Sequence, residues 1–285
     1  MDRVIDIHVH PAFFEAICSD PDRVEQRRQA LGLYKAGIAP LTHIFNQMKA
    51  AQIEKLALLP LDLTTQAGLE VVSNLEVARL VELAPQRFIG FASIDPFRPD
   101  ALPALEKAFV VYGLAGLKLH PARQHFYPSD PRLDPIYHLC VRYDRPVIFH
   151  AGLSLEPGAL AKFGQPLGFE DVAAAYPKLR ICLAHFGWPW VKETAALLLK
   201  HPNLYADTEL LYFDSAIEFY THVFQDELGR HWVDRSLRHQ VMFGSNNPRF
   251  EQMRMVQAIH KLGWRDSTVE LVLRENALEF LGSEG

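Results

Sequence analysis

Eight short runs rich in Val, Ile, Leu and Phe recur along this chain with longer segments between them, and that alternation restricts the fold more than any other feature. The runs are Val4–His10, Lys55–Pro60, Phe88–Ile94, Gly116–His120, Pro146–His150, Arg180–His185, Leu204–Asp207 and Gln240–Gly244. Near-continuous apolar runs suit strands buried on both faces, as in a parallel sheet covered by helices. The intervening segments carry apolar residues three and four apart, the helical spacing, over Leu41–Gln52, Leu75–Leu83, Ala101–Tyr112, Pro135–Tyr143 and Ala195–Lys200. Strands alternating with helices in this way predict an α/β fold, a (β/α)8 TIM barrel forming a single domain over residues 1–285. The tail predicts one more helix over Ser267–Leu281 that closes the core, with Ser267 as N-cap, Glu270 three residues on and Gly282 as the stop.

A chain of 285 residues fits such a barrel as one unit. With 49% hydrophobic and 22% charged residues it has the composition of an ordinary globular domain, not of a disordered or fibrous chain. A net charge of −5 provides no broad basic field, which argues against nucleic acid as a partner. No stretch of about eighteen apolar residues occurs, and no basic leader with a long apolar run opens the chain; the expectation is no membrane span and a cytoplasmic location. Cys18, Cys140 and Cys182 are far apart and form no CxxC pair, so neither a disulfide framework nor a zinc ribbon is expected. A homodimer is expected only from the general prevalence of two-fold assemblies.

The first run ends Asp6-Ile7-His8-Val9-His10-Pro11. Side chains two apart on a strand share a face, so both imidazoles project into one space, as metal ligands do. Two further runs end in histidine, at His150 and His185. In a barrel the C-terminal strand ends converge on one face, where catalytic groups collect, and four histidines would share that mouth. Neutral imidazole suits zinc and other first-row divalent ions. The stretches Pro121–Pro135 and Leu153–Gly168 directly follow strand candidates and are the expected walls of a substrate pocket.

These segments taken together resemble the amidohydrolase superfamily, in the amidohydrolase-related branch that includes relatives of aminocarboxymuconate-semialdehyde decarboxylase. The resemblance runs nearly end to end, through DIHVHP at Asp6–Pro11, FASIDP at Phe91–Pro96, GLKLHP at Gly116–Pro121, PVIFHAG at Pro146–Gly152, LAHFGWP at Leu183–Pro189, FGSNNP at Phe243–Pro248 and ENALEFLG at Glu275–Gly282. It implies one divalent metal ion, zinc first and manganese second, held by His8, His10 and His150, with His185 as a catalytic or substrate-polarising histidine. Asn246 stands at the second catalytic position. There the family usually reads FGSD, its aspartate completing the metal shell and handling a proton, whereas an amide is uncharged and is no general base at neutral pH. An altered chemistry, a weakened relative and an exchange made to trap a ligand all account for Asn246.

Lys118 and His120 lie two apart on the fourth strand and are read as substrate-binding, Lys118 as a point charge for a carboxylate. The resemblance also allows Lys118 to be carboxylated and to bridge two metals. Glu209 and Arg249 complete the substrate-binding candidates, with Arg123, His125 and Tyr127 on mouth loops suited to an anionic or aromatic small molecule. Asp207 and Glu209 are candidates for the proton handling that Asn246 cannot perform; the plainer expectation is that Asp207 caps a loop and Glu209 is solvated. Trp188 and Trp190 are expected to pack. Three functions follow: metal-dependent hydrolysis of a lactone, ester or amide, non-oxidative decarboxylation of an aromatic or unsaturated acid, or a ligand-binding barrel whose catalysis Asn246 has weakened.

Overall fold

All eight expected strands form. A computed structural model describes residues 4–156, 158–209 and 214–282, with β1 (Val4–Val9), β2 (Ile53–Leu58), β3 (Phe88–Ser93), β4 (Gly116–Leu119), β5 (Val147–Phe149), β6 (Ile181–Leu183), β7 (Leu204–Asp207) and β8 (Val241–Met242) making the barrel. Every neighbouring pair is parallel and follows chain order. The sheet turns back on itself where β8 meets β1. There Ile7 donates its N–H to the Phe243 carbonyl at 3.0 Å, Asn246 to His8 at 2.9 Å and His10 to Asn247 at 2.8 Å. These bonds satisfy what would otherwise be two open edges.

One apolar cluster takes residues from seven of the strands, among them Ile7, Ala57, Phe91, Ile148, Cys182, Tyr205 and Met242, and joins them to Ala277, Phe280 and Leu281 of the C-terminal helix. Gly116 makes room for it: a Cβ there would lie 2.3 Å from the Phe91 ring. The C-terminal helix docks at the end where the strands begin, since Arg180, just before β6, donates to the Phe280 carbonyl at 2.6 Å. It therefore closes the core as expected. Its start differs. The helix begins at Asp266 with Arg265 as the capping position, and Ser267 lies inside the first turn. Arg265 is held outside the helix because its guanidinium and N–H both bind Asp234, and a π-helical stretch, Leu271–Glu275, interrupts the run before Gly282 ends it.

Several elements have no counterpart among the expected ones, and three of them follow β1, β2 and β8. A two-stranded antiparallel hairpin, Leu61–Leu63 with Leu69–Val72, follows β2. A helix over Gln252–Lys261 follows β8. Another, Pro21–Leu31, follows β1, capped by Asp20 accepting from Asp22 and Arg23 N–H and stopped by Gly32 in the left-handed region. Its buried Arg27 donates to the carbonyls of Ala12 and Ile17 and to Glu76, so the helix is tied across to the rest of the barrel mouth. Among the described residues no helix is long and apolar enough to cross a membrane.

Candidate functional site

The strand ends deliver the histidines. His8 is the fifth residue of β1, His10 follows it, His120 follows β4, His150 follows β5 and His185 lies two residues beyond β6. All nine residues expected at the site, His8, His10, Lys118, His120, His150, His185, Glu209, Asn246 and Arg249, line one open cleft with about 600 Å³ of empty space. Arg123 and Glu156 share it, so both loops expected as walls contribute.

The rings pack closely. His120 stacks on His150 at 3.8 Å between centroids, and His185 Nε2 lies 2.8 Å from His150 Nδ1. His8 and His10 stand 5.2 Å apart, edge to face. His185 and Asn246 both occupy the left-handed region, at φ 60° and 58°. For a histidine that conformation costs about 1–2 kcal/mol, and here it is held by the His185 N–H donating to Asp207 Oδ1 at 2.7 Å. The turn aims the imidazole back over the strand ends.

Asp207 and Glu209 are buried, at 0% and 1% exposure, so the expectation of a solvated Glu209 is corrected. The His8 Nδ1–H is aligned on Asp207 Oδ2 at 2.8 Å. Glu209 Oε2 lies 2.6 Å from the same nitrogen and 2.9 Å from His185 Nδ1, as a close electrostatic neighbour rather than an aligned acceptor. His8, Asp207 and Glu209 bring potential ligand atoms within 4.8 Å of one another. This grouping joins residues some two hundred positions apart, and only the weak signal of two acids ending a strand pointed to it. Leu31, Leu33 and Leu61 also line the cleft and had no sequence signal.

Other candidates lie elsewhere. His125 places Nε2 2.7 Å from the Gly158 carbonyl and stacks on Phe163, and Tyr127 is half exposed against the same ring. Trp188 packs on Phe219.

A family model described as amidohydrolase matches residues 5–283. The chain belongs to the amidohydrolase family. Among solved structures it is similar to an uncharacterized TIM-barrel protein of Bordetella bronchiseptica (22% identity, 98% of each chain, TM-score 0.77). It is also similar to 4-oxalomesaconate hydratase of Rhodopseudomonas palustris (20% identity, 98% of this chain and 95% of that one, TM-score 0.66). A third is 5-carboxyvanillate decarboxylase of Novosphingobium aromaticivorans with bound manganese (18% identity, 98% and 97% coverage, TM-score 0.62). No curated protein matches the sequence.

Burial sets the charge states of this amidohydrolase's cleft. It pushes His8 down to about 3 against the opposing pull of Glu209, and His185 down to about 3 against that of Asp207. His10, His120 and His150 are also held well below the ordinary imidazole range, by burial first and then by Lys118 and the neighbouring imidazoles. All five are neutral at pH 7, the state in which imidazole binds metal. Burial raises Asp207 and Glu209, with His185, His8 and Lys118 opposing, and lowers Lys118.

The similar decarboxylase structure from Novosphingobium aromaticivorans holds manganese, and the donor set of this cleft fits such an ion. Among the described residues His150 Nε2, His185 Nδ1 and both Glu209 oxygens are buried without a hydrogen-bond partner. Native interiors rarely tolerate such groups unless an ion, a ligand or ordered water meets them. Nitrogen and oxygen donors together suit zinc or manganese.

Proposed function

We propose that this chain is a divalent-metal-dependent hydrolase of a small anionic carbonyl compound, a lactone, ester or amide. The observation that carries the reading is the convergence of five neutral histidines, partnerless buried donor atoms and three cationic side chains on one cleft. His8, His10 and His150 would hold the ion, and a bound divalent ion would supply Lewis-acid polarisation of a substrate carbonyl.

The protein's own groups then have separable tasks. Lys118, buried with Nζ unpartnered, and Arg123 and Arg249 at the cleft wall attract and orient the substrate's carboxylate. Arg249 is fixed by donating to the Leu31 carbonyl at 2.7 Å, so the helix over the mouth positions it. His185 neighbours His150 and stabilises charge developing on the substrate oxygen. His120, stacked on His150, fixes that ring's plane and offers a polar edge to the substrate. Asn246 donates and accepts hydrogen bonds through its amide without carrying charge. Leu31, Leu33 and Leu61 exclude water from the cleft's apolar side.

Decarboxylation of an aromatic or unsaturated acid is a second reading, favoured by the same three cations and by the similarity to a decarboxylase over nearly the whole of both chains. Purified protein loaded with zinc or manganese is to be assayed for ring opening of carboxylated lactones and for carbon dioxide release from phenolic acids. Lactone opening that vanishes on chelation supports the hydrolase; carbon dioxide release without hydrolysis replaces it with the lyase. Metal binding with neither activity, unchanged in Asn246→Asp, leaves a ligand-binding barrel.

A further inference from the structure

The two carboxylates beneath the cleft are not equivalent. Both Asp207 oxygens are committed: Oδ1 accepts from the N–H of His185 at 2.7 Å and of Glu209 at 3.3 Å, and Oδ2 accepts from His8 Nδ1. A carboxylate bonded in this way orients the rings around it. Glu209 is the reverse case. It is as deeply buried, it lines the cleft, and neither of its oxygens has a hydrogen-bond partner among the described residues. Asn246 lines the same cleft as a neutral amide, its backbone bonded to His8.

We propose that Glu209, delivered from the end of β7, is the anionic ligand of the metal site and supplies there the charge that Asn246 cannot. The inference rests on the metal-dependent reading above. The reason is electrostatic. Three neutral imidazoles leave both charges of the ion uncompensated in a buried pocket, and burying net charge is costly unless an opposite charge meets it. Asp207 lends its field, but its oxygens are occupied. Glu209 starts two residues past Asp207 and carries one more methylene, so its Oε2 reaches the His8 and His185 rings while neither of its oxygens is the aligned acceptor of a hydrogen bond among the described residues.

Metal-free protein is titrated with manganese alone by calorimetry as wild type, Glu209→Gln, Asn246→Asp and the double variant. Thermal unfolding of the metal-free forms serves as the folding control. The expected result is a loss of about ten- to a hundredfold in manganese affinity for Glu209→Gln, with most of it restored in the double variant, which returns a carboxylate from the β8 side. Wild-type affinity in Glu209→Gln overturns the assignment and leaves metal dependence standing. A loss that Asn246→Asp fails to restore also overturns it. No manganese binding by the wild type overturns both. If Glu209→Gln does not fold, Glu209→Asp replaces it, keeping the charge but withdrawing it by one methylene: a several-fold loss supports the assignment, and unchanged affinity overturns it.

Discussion

Gly152→Ala tests how the cleft wall is held. Gly152 follows His150 by two residues, at φ +89°, and a Cβ there would lie 2.3 Å from the Trp188 carbonyl oxygen and 2.8 Å from the Gly187 carbonyl carbon. Both obstacles are backbone, so neither can rotate away. Two hydrogen bonds depend on the same approach, Gly152 N–H to Gly164 O at 2.7 Å and Leu153 N–H to Trp188 O at 2.9 Å. Positive φ costs a side chain about 1–2 kcal/mol, and losing the two bonds adds about 1 kcal/mol each. The total, about 3–4 kcal/mol, corresponds at about 2 °C per kcal/mol to a fall of about 6–8 °C in melting temperature for a chain of this size. Gly168→Ala is the control. It lies on the same wall, has nothing within 4 Å of its Cβ position, and is expected to shift stability by less than about 1 kcal/mol. Calorimetric melting of both variants with the wild type reads the difference directly. Equal melting temperatures for the two alanine variants would refute the close-approach argument.

Removing the metal with a chelator should lower the melting temperature by about 5 °C if the ion was present at a hundred times its dissociation constant, where binding contributes about 2.7 kcal/mol; no change on chelation, seen by scanning calorimetry, contradicts a resident ion. Lys118→Met and Arg249→Met are each expected to weaken an anionic substrate about ten- to a hundredfold, the value of one charge-assisted hydrogen bond, read as KM for carboxylated against uncharged substrates. An equal effect on both substrate types would contradict the charge role. Glu76 tests a structural pair: burial alone would raise its carboxyl, but Ser73 N–H, Arg27 and Arg23 hold it below its ordinary value. A depressed carboxyl stabilises the fold above the unfolded-state value near about 4.3 and loses that contribution as pH falls through the folded value. The stability gap between wild type and Glu76→Gln, measured by urea unfolding, should therefore be full at pH 7 and close in acid; a gap independent of pH removes the ion pair from the account.

Much of the barrel is legible in the chain because each strand is a local signal. Runs such as Val-Ile-Phe before His150 are apolar on both faces, and that property survives without knowing what packs against them. The same locality explains what was missed. The segments Leu61–Leu63 and Leu69–Val72 are too short to display a period, and their pairing is settled across a four-residue helical turn. Helix Pro21–Leu31 is dominated by Arg, Gln and Asp, so its buried stripe of Val24, Arg27 and Leu31 includes a charge; its Asp-Pro start and Gly32 stop were the available signal. Ser267 looked like a cap because the tether of Arg265 to Asp234, thirty-one residues earlier, is invisible along the chain.

The site divides in the same way. Histidines at the ends of strands determined that the cleft would hold several imidazoles, since parallel strands in a closed sheet bring those ends to one face whatever their sequence separation. Only the tertiary structure decided how the acids are bonded. Nothing local distinguishes Asp207 from Glu209; the difference is that the backbone N–H of His185 and the ring of His8 reach Asp207, from strands 22 and 199 residues away, and leave Glu209 uncommitted. Hydrogen-bond capacity is spent through space, and which buried carboxylate keeps some to offer a ligand is fixed only when the chain has folded.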